Sequence, residues 1–322
     1  MKKNLLLLGV AVAALSSCTN NEVIEMAENR AIGFESFVGK PTKAVTEITD
    51  AGIRSFCVYG GYNDMTHVFN NQEVTSENGT EWSYTPTRYW VAGKDYKFAA
   101  YAPKAVENKI ETDFNNGHLN VKDYVSNPTL QYDLIYSGGI TKTPSAEETG
   151  TVNFQFEHLL SMIKFTFKSK FGKDVSVTIS DLKVYGMNSK ATFTGNTDTW
   201  GAATDAIAAP GFTELSENTV AEIPSSGSET TAESAQFVVI PQTSPDVTVS
   251  FKATVKDANE QTVVDQKEMS GTITTPSWTK GLRYNYTIEI SGDDAGLKPI
   301  VIGDPTVTGW PGFTGGTTVD VQ

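Results

Sequence analysis

Val247-Thr248-Val249-Ser250-Phe251-Lys252-Ala253-Thr254-Val255-Lys256 alternates apolar and polar residues without a break. A period of two puts Val247, Val249, Phe251, Ala253 and Val255 on one face of a strand and the polar residues on the other. The pattern returns at Leu282, Tyr284, Tyr286, Ile288 and Ile290, and again at Val175, Val177 and Ile179. Burying five such side chains contributes on the order of 10 kcal/mol before chain entropy is counted. No stretch of a dozen residues carries a helical stripe. The 27 glycines and 13 prolines favour many short strands and turns over long helices. The fold class predicted is all-β.

Working back from these runs, Val152, Phe154 and Phe156 alternate with polar neighbours, and so do Ile163, Phe165 and Phe167. The apolar phase moves from even to odd positions between the two sets. One continuous strand cannot do that and keep a single face buried. A bulge, corner or short helical turn is therefore predicted over Glu157 to Met162, with His158 inside it as a hydrogen-bonded structural group. Further back, strands are predicted at Ile53 to Tyr59, Tyr96 to Tyr101 and Leu130 to Tyr136, with aromatic strand pieces at Trp82–Tyr84 and Tyr89–Val91. Trp82 and Trp90 fit a β-sandwich core; exposed, they would instead suit stacking on a sugar. Gly138-Gly139 and the polar run Thr141 to Gly150 read as a linker between two strand-rich regions. Ala202 to Ala235, without a clear period, reads as surface loops.

The front of the chain has a different character. Ala31-Ile-Gly-Phe-Glu-Ser-Phe-Val38 reads as a short first strand, with Ile32, Phe34 and Val38 on one face and Gly33, Glu35 and Phe37 on the other. A basic, breakable joint follows, Lys40-Pro41-Thr42-Lys43-Ala44. Before the strand lie Met1-Lys2-Lys3, an apolar run from Leu5 to Ala14, and Leu15-Ser16-Ser17-Cys18. The apolar run is shorter than the roughly 20 residues that a transmembrane helix needs. Small residues before a cysteine in this position resemble the bacterial lipobox, which implies cleavage before Cys18 and lipidation of its thiol. Thr19 to Asn29 reads as a polar tether. At the other end, segments able to pair as strands return after the break at Gly292–Gly296, and they hold Ile300, Ile302, Val307, Val319 and Val321.

Several function classes find no support. The formal net charge of −13 argues against nucleic acid and anionic lipid headgroups as partners, since both need a basic patch. With Cys18 assigned to the anchor, Cys57 has no disulfide partner and reads as a small buried apolar residue. His67, His118 and His158 lack the i, i+4 spacing of a zinc motif, and there is no nucleophile elbow or phosphate-binding glycine loop. Asp293-Asp294 reads as a solvated turn and not as a calcium loop. No catalytic residue, metal or cofactor is predicted, and the protein reads as a structural subunit and not as an enzyme.

Arg88–Pro103, Asp133–Tyr136, Phe154–Phe165, Val238–Thr243 and Trp278–Ile288, in this order and behind the lipobox, resemble the fimbrillin family of Bacteroides-type bacteria. The resemblance spans nearly the whole chain after the leader. It implies two tandem transthyretin-like β-sandwich domains and export as an outer-membrane lipoprotein. It also implies assembly with other fimbrial subunits into a type V fimbrium that serves surface adhesion. A trypsin-like protease would remove the acylated segment with the first strand, and a neighbour's C-terminal strand would fill the emptied groove. Carried onto this chain, residues 1–17 are the signal peptide and 18–43 the acylated propeptide. Residues 44–148 and 149–290 are the two domains, and 291–322 the tail with its candidate donor strand. The displaced residues are Ile32, Phe34 and Val38, and the cut falls between Lys43 and Ala44. The family's usual Arg is Lys43 here, so a Lys-tolerant protease, or cleavage at Arg30 or Arg54, stays open. A stalk subunit is the favoured role. The alternative is a tip adhesin or non-polymerising lipoprotein that binds a glycan or host ligand.

Overall fold

The computed structural model describes residues 30–37, 53–114, 116–129, 131–145, 150–172, 174–223, 231–293 and 296–310. The leader, Cys18, Val38, Lys43, Ala44, Val319 and Val321 lie outside them. The regular secondary structure of the described chain is nearly all strand, as the alternating runs require.

Strands β1 (Phe34–Phe37), β2 (Ser55–Tyr62), β3 (Phe69–Thr75) and β4 (Tyr96–Ala102) come first. A short 3-10 helix over Lys104–Lys109 follows, then β5 (Ile110–Asp113), β6 (His118–Val125) and β7 (Ile135–Lys142). Next are β8 (Val152–Gln155), β9 (Glu157–His158), β10 (Ser161–Ser169), β11 (Ser176–Tyr185) and β12 (Asn188–Thr194). An antiparallel sheet in the order β3-β2-β4-β7-β9 is covered on both faces. This explains why Ser55–Tyr62 and Tyr96–Ala102 read as continuous apolar runs. Phe56, Val58, Phe98 and Ala100 share one core with Ile32, Phe34, Phe154 and Phe156. Cys57, Tyr59, Ala99 and Tyr101 face a second layer that contains Leu119, Val121 and Phe193. Gly60 lies under the Phe98 ring: a Cβ there would meet Phe98 Cδ1 at 2.4 Å.

A third core lies between two sheets formed by the best alternating runs. In one, β10 runs parallel to Leu282–Ile290, from Met162 opposite Arg283 to Ser169 opposite Ile290. The other has the order Phe212–Ile223, β11, Val247–Lys256, Thr262–Ile273, all antiparallel. Ile163, Phe165, Phe167, Phe251, Tyr286 and Ile288 all point into this core.

The phase shift has a clear cause. Phe154 and Phe156 belong to the core beneath β1, Leu159 and Leu160 to the second layer, and Ile163, Phe165 and Phe167 to the third. The chain changes partners twice in ten residues, so its buried face changes too.

Three readings need correction. Gly138, Gly139 and Lys142 are not linker; they lie in β7. Composition suggested a break, but Gly138 is there because a Cβ would stand 1.9 Å from the Tyr136 hydroxyl. Ala202 to Ala235 is not all loop, since it contains the twelve-residue strand Phe212–Ile223. Trp82–Tyr84 and Tyr89–Val91 form only single bridges, Ser83 to Thr75 and Tyr89 to Ala31. Strands beyond 149 also serve the layers of the earlier region: β8 pairs with β1, β9 with β7, and β12 with β6.

Candidate functional site

The first strand lies between two edges that belong to different parts of the chain. On one side β1 runs parallel to β8, from Phe34 opposite Val152 to Phe37 opposite Gln155. The Val152 amide donates to the Gly33 carbonyl at 2.9 Å. On the other side the Ile32 amide donates to the Arg88 carbonyl at 2.8 Å, and the Trp90 amide donates to the Arg30 carbonyl at 2.9 Å. The Tyr84 hydroxyl donates to the Ile32 carbonyl at 2.8 Å. Ile32 and Phe34 point inward and Glu35 outward, as the alternation predicted. The Phe34 ring lies 5.2 Å from Phe69, 5.4 Å from Tyr84 and 5.7 Å from Phe154, centre to centre. Backbone bonding on both edges with an aromatic side chain pressed into the core is how a peptide strand is held in a groove.

The tail is docked on the same subunit as far as it is described. Val301–Ile302 and Thr306–Gly309 pair antiparallel with Leu282–Ile290. Ile300, Ile302 and Val307 pack partly buried against the third core, while Val301 stands 60% exposed. The Trp310 amide donates to the Gly281 carbonyl at 2.7 Å. The buried Trp310 ring is stacked on His158 at 4.4 Å with planes 7° apart. His158 Nδ1 lies 2.8 Å from Asp133 Oδ1, so His158 is the hydrogen-bonded structural group expected in the corner. The candidate displaced strand and candidate donor residues therefore occupy separate seats, and the structure does not bring them together.

The other residues singled out in the sequence have structural surroundings. Trp90 is buried edge-on against Tyr96 at 4.8 Å, and Trp82 packs on Phe56 at 4.7 Å, which is the core arrangement. Tyr62 packs edge-on against His67, and the Tyr136 hydroxyl lies 3.0 Å from His118 Nδ1. Among the described residues, no group of three or more His, Cys, Asp or Glu is placed to hold a metal. A cleft of about 340 Å³ opens between β7 and β8, lined by His118, Asn153, Gln155, Glu157 and Asp198. Its acidic end is bridged by Lys280, 2.8 Å from Glu157 and 2.6 Å from Asp198.

Cys57 is buried, and burial pushes its thiol up from 9.0 to about 11. The folded chain is expected to resist alkylation at neutral pH and to react fully once unfolded, as measured by mass shift. Between about pH 9 and pH 11 the unfolded state ionises this thiol first, so its contribution to stability is lost as pH rises through that window.

Sequence reading placed a strand piece at Tyr89–Val91 but missed that Arg88–Trp90 is an edge for the first strand, and it missed the Trp310 seat. The first is an irregular segment whose backbone, not its pattern, does the binding. The second could be seen only as one apolar ring after a polar strand.

A profile of the fimbrillin-like family matches residues 42–310. A crystal structure of a fimbrial protein from Bacteroides vulgatus aligns over 87% of this chain and 99% of that chain, at 21% identity and a TM-score of 0.60. One of a candidate cell adhesion protein from Bacteroides ovatus covers 87% and 96%, at 13% identity and a TM-score of 0.50. Comparison with curated proteins yielded no match. The two structural likenesses bear on the fold alone.

Proposed function

This chain belongs to the fimbrillin-like family, and we propose that it is a structural subunit of a surface fimbrium, assembled by strand exchange. The precursor is exported as a lipoprotein anchored through Cys18 to the outer membrane. A protease cuts between Lys43 and Ala44 and β1 leaves. A tail from a neighbouring subunit then takes its place between β8 and Arg88–Trp90. Repeated head to tail without closure, the contact gives a filament. A stalk position follows from having both a groove and a tail.

The observation that carries this reading is the seat of β1. It comes before the basic joint, fills a groove with Ile32 and Phe34, and is the strand laddered to β8. Without it, two unpaired edges flank an open aromatic core, a surface that binds another strand readily.

The test is limited trypsin treatment of the chain produced without its leader. A stable fragment that starts at Ala44 is expected, followed by a ladder of oligomers on SDS gels run without boiling. Loss of residues up to Lys43 with the fragment remaining monomeric would overturn the reading and leave an adhesin that does not polymerise.

A further inference from the structure

Residues 152–160 seat the first strand and the tail together. β8 pairs with β1 as far as Gln155 opposite Phe37, and among the described residues β1 is the strand laddered to it. Phe154 stacks on Phe34, and Phe156 packs on both Phe154 and Phe56. One residue further on, Glu157 accepts from Lys280 at 2.8 Å, beside the Gly281 carbonyl that receives the Trp310 amide. The next residue, His158, carries the Trp310 ring itself. Arg283, on the strand that pairs with the tail, places its guanidinium carbon 6.0 Å from the centre of that ring. Only two residues, Phe156 and Glu157, therefore separate the end of the β1 ladder from the residue that carries the tail's buried anchor.

We propose that the occupancy of the groove controls the tail: β1 holds residues 152–160 in the form that seats Trp310, and loss of β1 loosens that seat and frees the tail. Removing β1 strips β8 of its ladder and Phe154 of its stacked ring. A short run that has lost both opens at lower cost than the sheets around it. His158 keeps its Asp133 partner and its pairing with β7, but the run leading into it is no longer held on the β1 side, and the face it presents to Trp310 is less firmly set. Insofar as the freed tail is the donor, this rests on the strand-exchange reading. It adds an order of events to that reading, since an uncut subunit keeps its tail folded home and only a cut one offers it. Coupling between two sites is reciprocal, so loosening the tail must also loosen β1.

Hydrogen exchange read by mass spectrometry on the full chain tests this. Phe34→Ala is expected to speed exchange of Thr306–Trp310 about fivefold or more, the lower end of ordinary coupling between sites. Trp310→Ala is expected to speed exchange of residues 31–37 and 152–155 by a similar factor. Val247–Val255 serves as the internal reference and is expected to stay unchanged in both variants. Acceleration confined to the mutated segment, or equal acceleration everywhere including Val247–Val255, overturns the coupling. The two readings fail separately. A cut chain that polymerises while Phe34→Ala leaves its tail protected sinks the coupling and keeps strand exchange. A tail that is released without polymers forming sinks strand exchange and keeps the coupling.

Discussion

Phe34→Ala is expected to lower the stability of the first core by about 3–5 kcal/mol, the usual cost of emptying a packed aromatic site. The rings of Phe56, Phe69, Tyr84, Phe98 and Phe154 surround Phe34 and cannot all close the gap. The third core shares no residue with this cluster, so its strands other than the docked tail are expected to unfold at an unchanged denaturant concentration. Urea unfolding followed by near-ultraviolet circular dichroism should therefore separate into two transitions, the earlier one shifted. Val263→Ala is the control: Val263 is 60% exposed, and its loss should cost no more than about 0.5 kcal/mol. A Phe34→Ala penalty below about 1 kcal/mol would mean that the first strand is not held by its ring, and the proposed strand exchange would lose its physical basis.

What could be read from sequence, and what could not, divides along a physical line. Alternation is a local property, so Val247–Lys256, Leu282–Ile290 and the inward set Ile32 and Phe34 were legible and fold as read. The corner after Phe156 was legible because a change of phase is also local. Partner choice is not local. Nothing in Phe34–Phe37 says that it lies parallel to Val152–Gln155, more than a hundred residues away, and not antiparallel to a nearer strand. Composition misled at Gly138-Gly139, where Gly138 clears space for the Tyr136 hydroxyl and Gly139 for the His118 ring inside a strand. Phe212–Ile223 was missed because its pairing with β11 is interrupted by register shifts that spoil any strict period. The tail was legible as pieces able to pair, but its anchor depends on an imidazole more than 150 positions earlier in the chain.

The largest effect expected on assembly comes from a peptide, not a mutation. A synthetic peptide with the sequence of residues 30–38, added in excess to freshly cut subunits, should suppress the oligomer ladder almost completely. It carries the groups the groove already binds: the carbonyls of Arg30 and Ile32, the amide of Ile32, and the side chains of Ile32 and Phe34. The same peptide with Phe34→Ala keeps every backbone bond and loses only the ring. If burial of that ring is worth about 3–5 kcal/mol, its affinity falls by roughly two to three and a half orders of magnitude. It should then fail as an inhibitor at the concentration where the parent works. A scrambled peptide of the same composition separates groove binding from general stickiness toward open edges, which any extended chain could cover. Equal inhibition by all three would show that cut subunits are captured by unpaired backbone alone, and exchange in the register of β1 would be wrong. Strong inhibition by the parent alone would tie assembly to the same aromatic pocket that holds the first strand before it is cut.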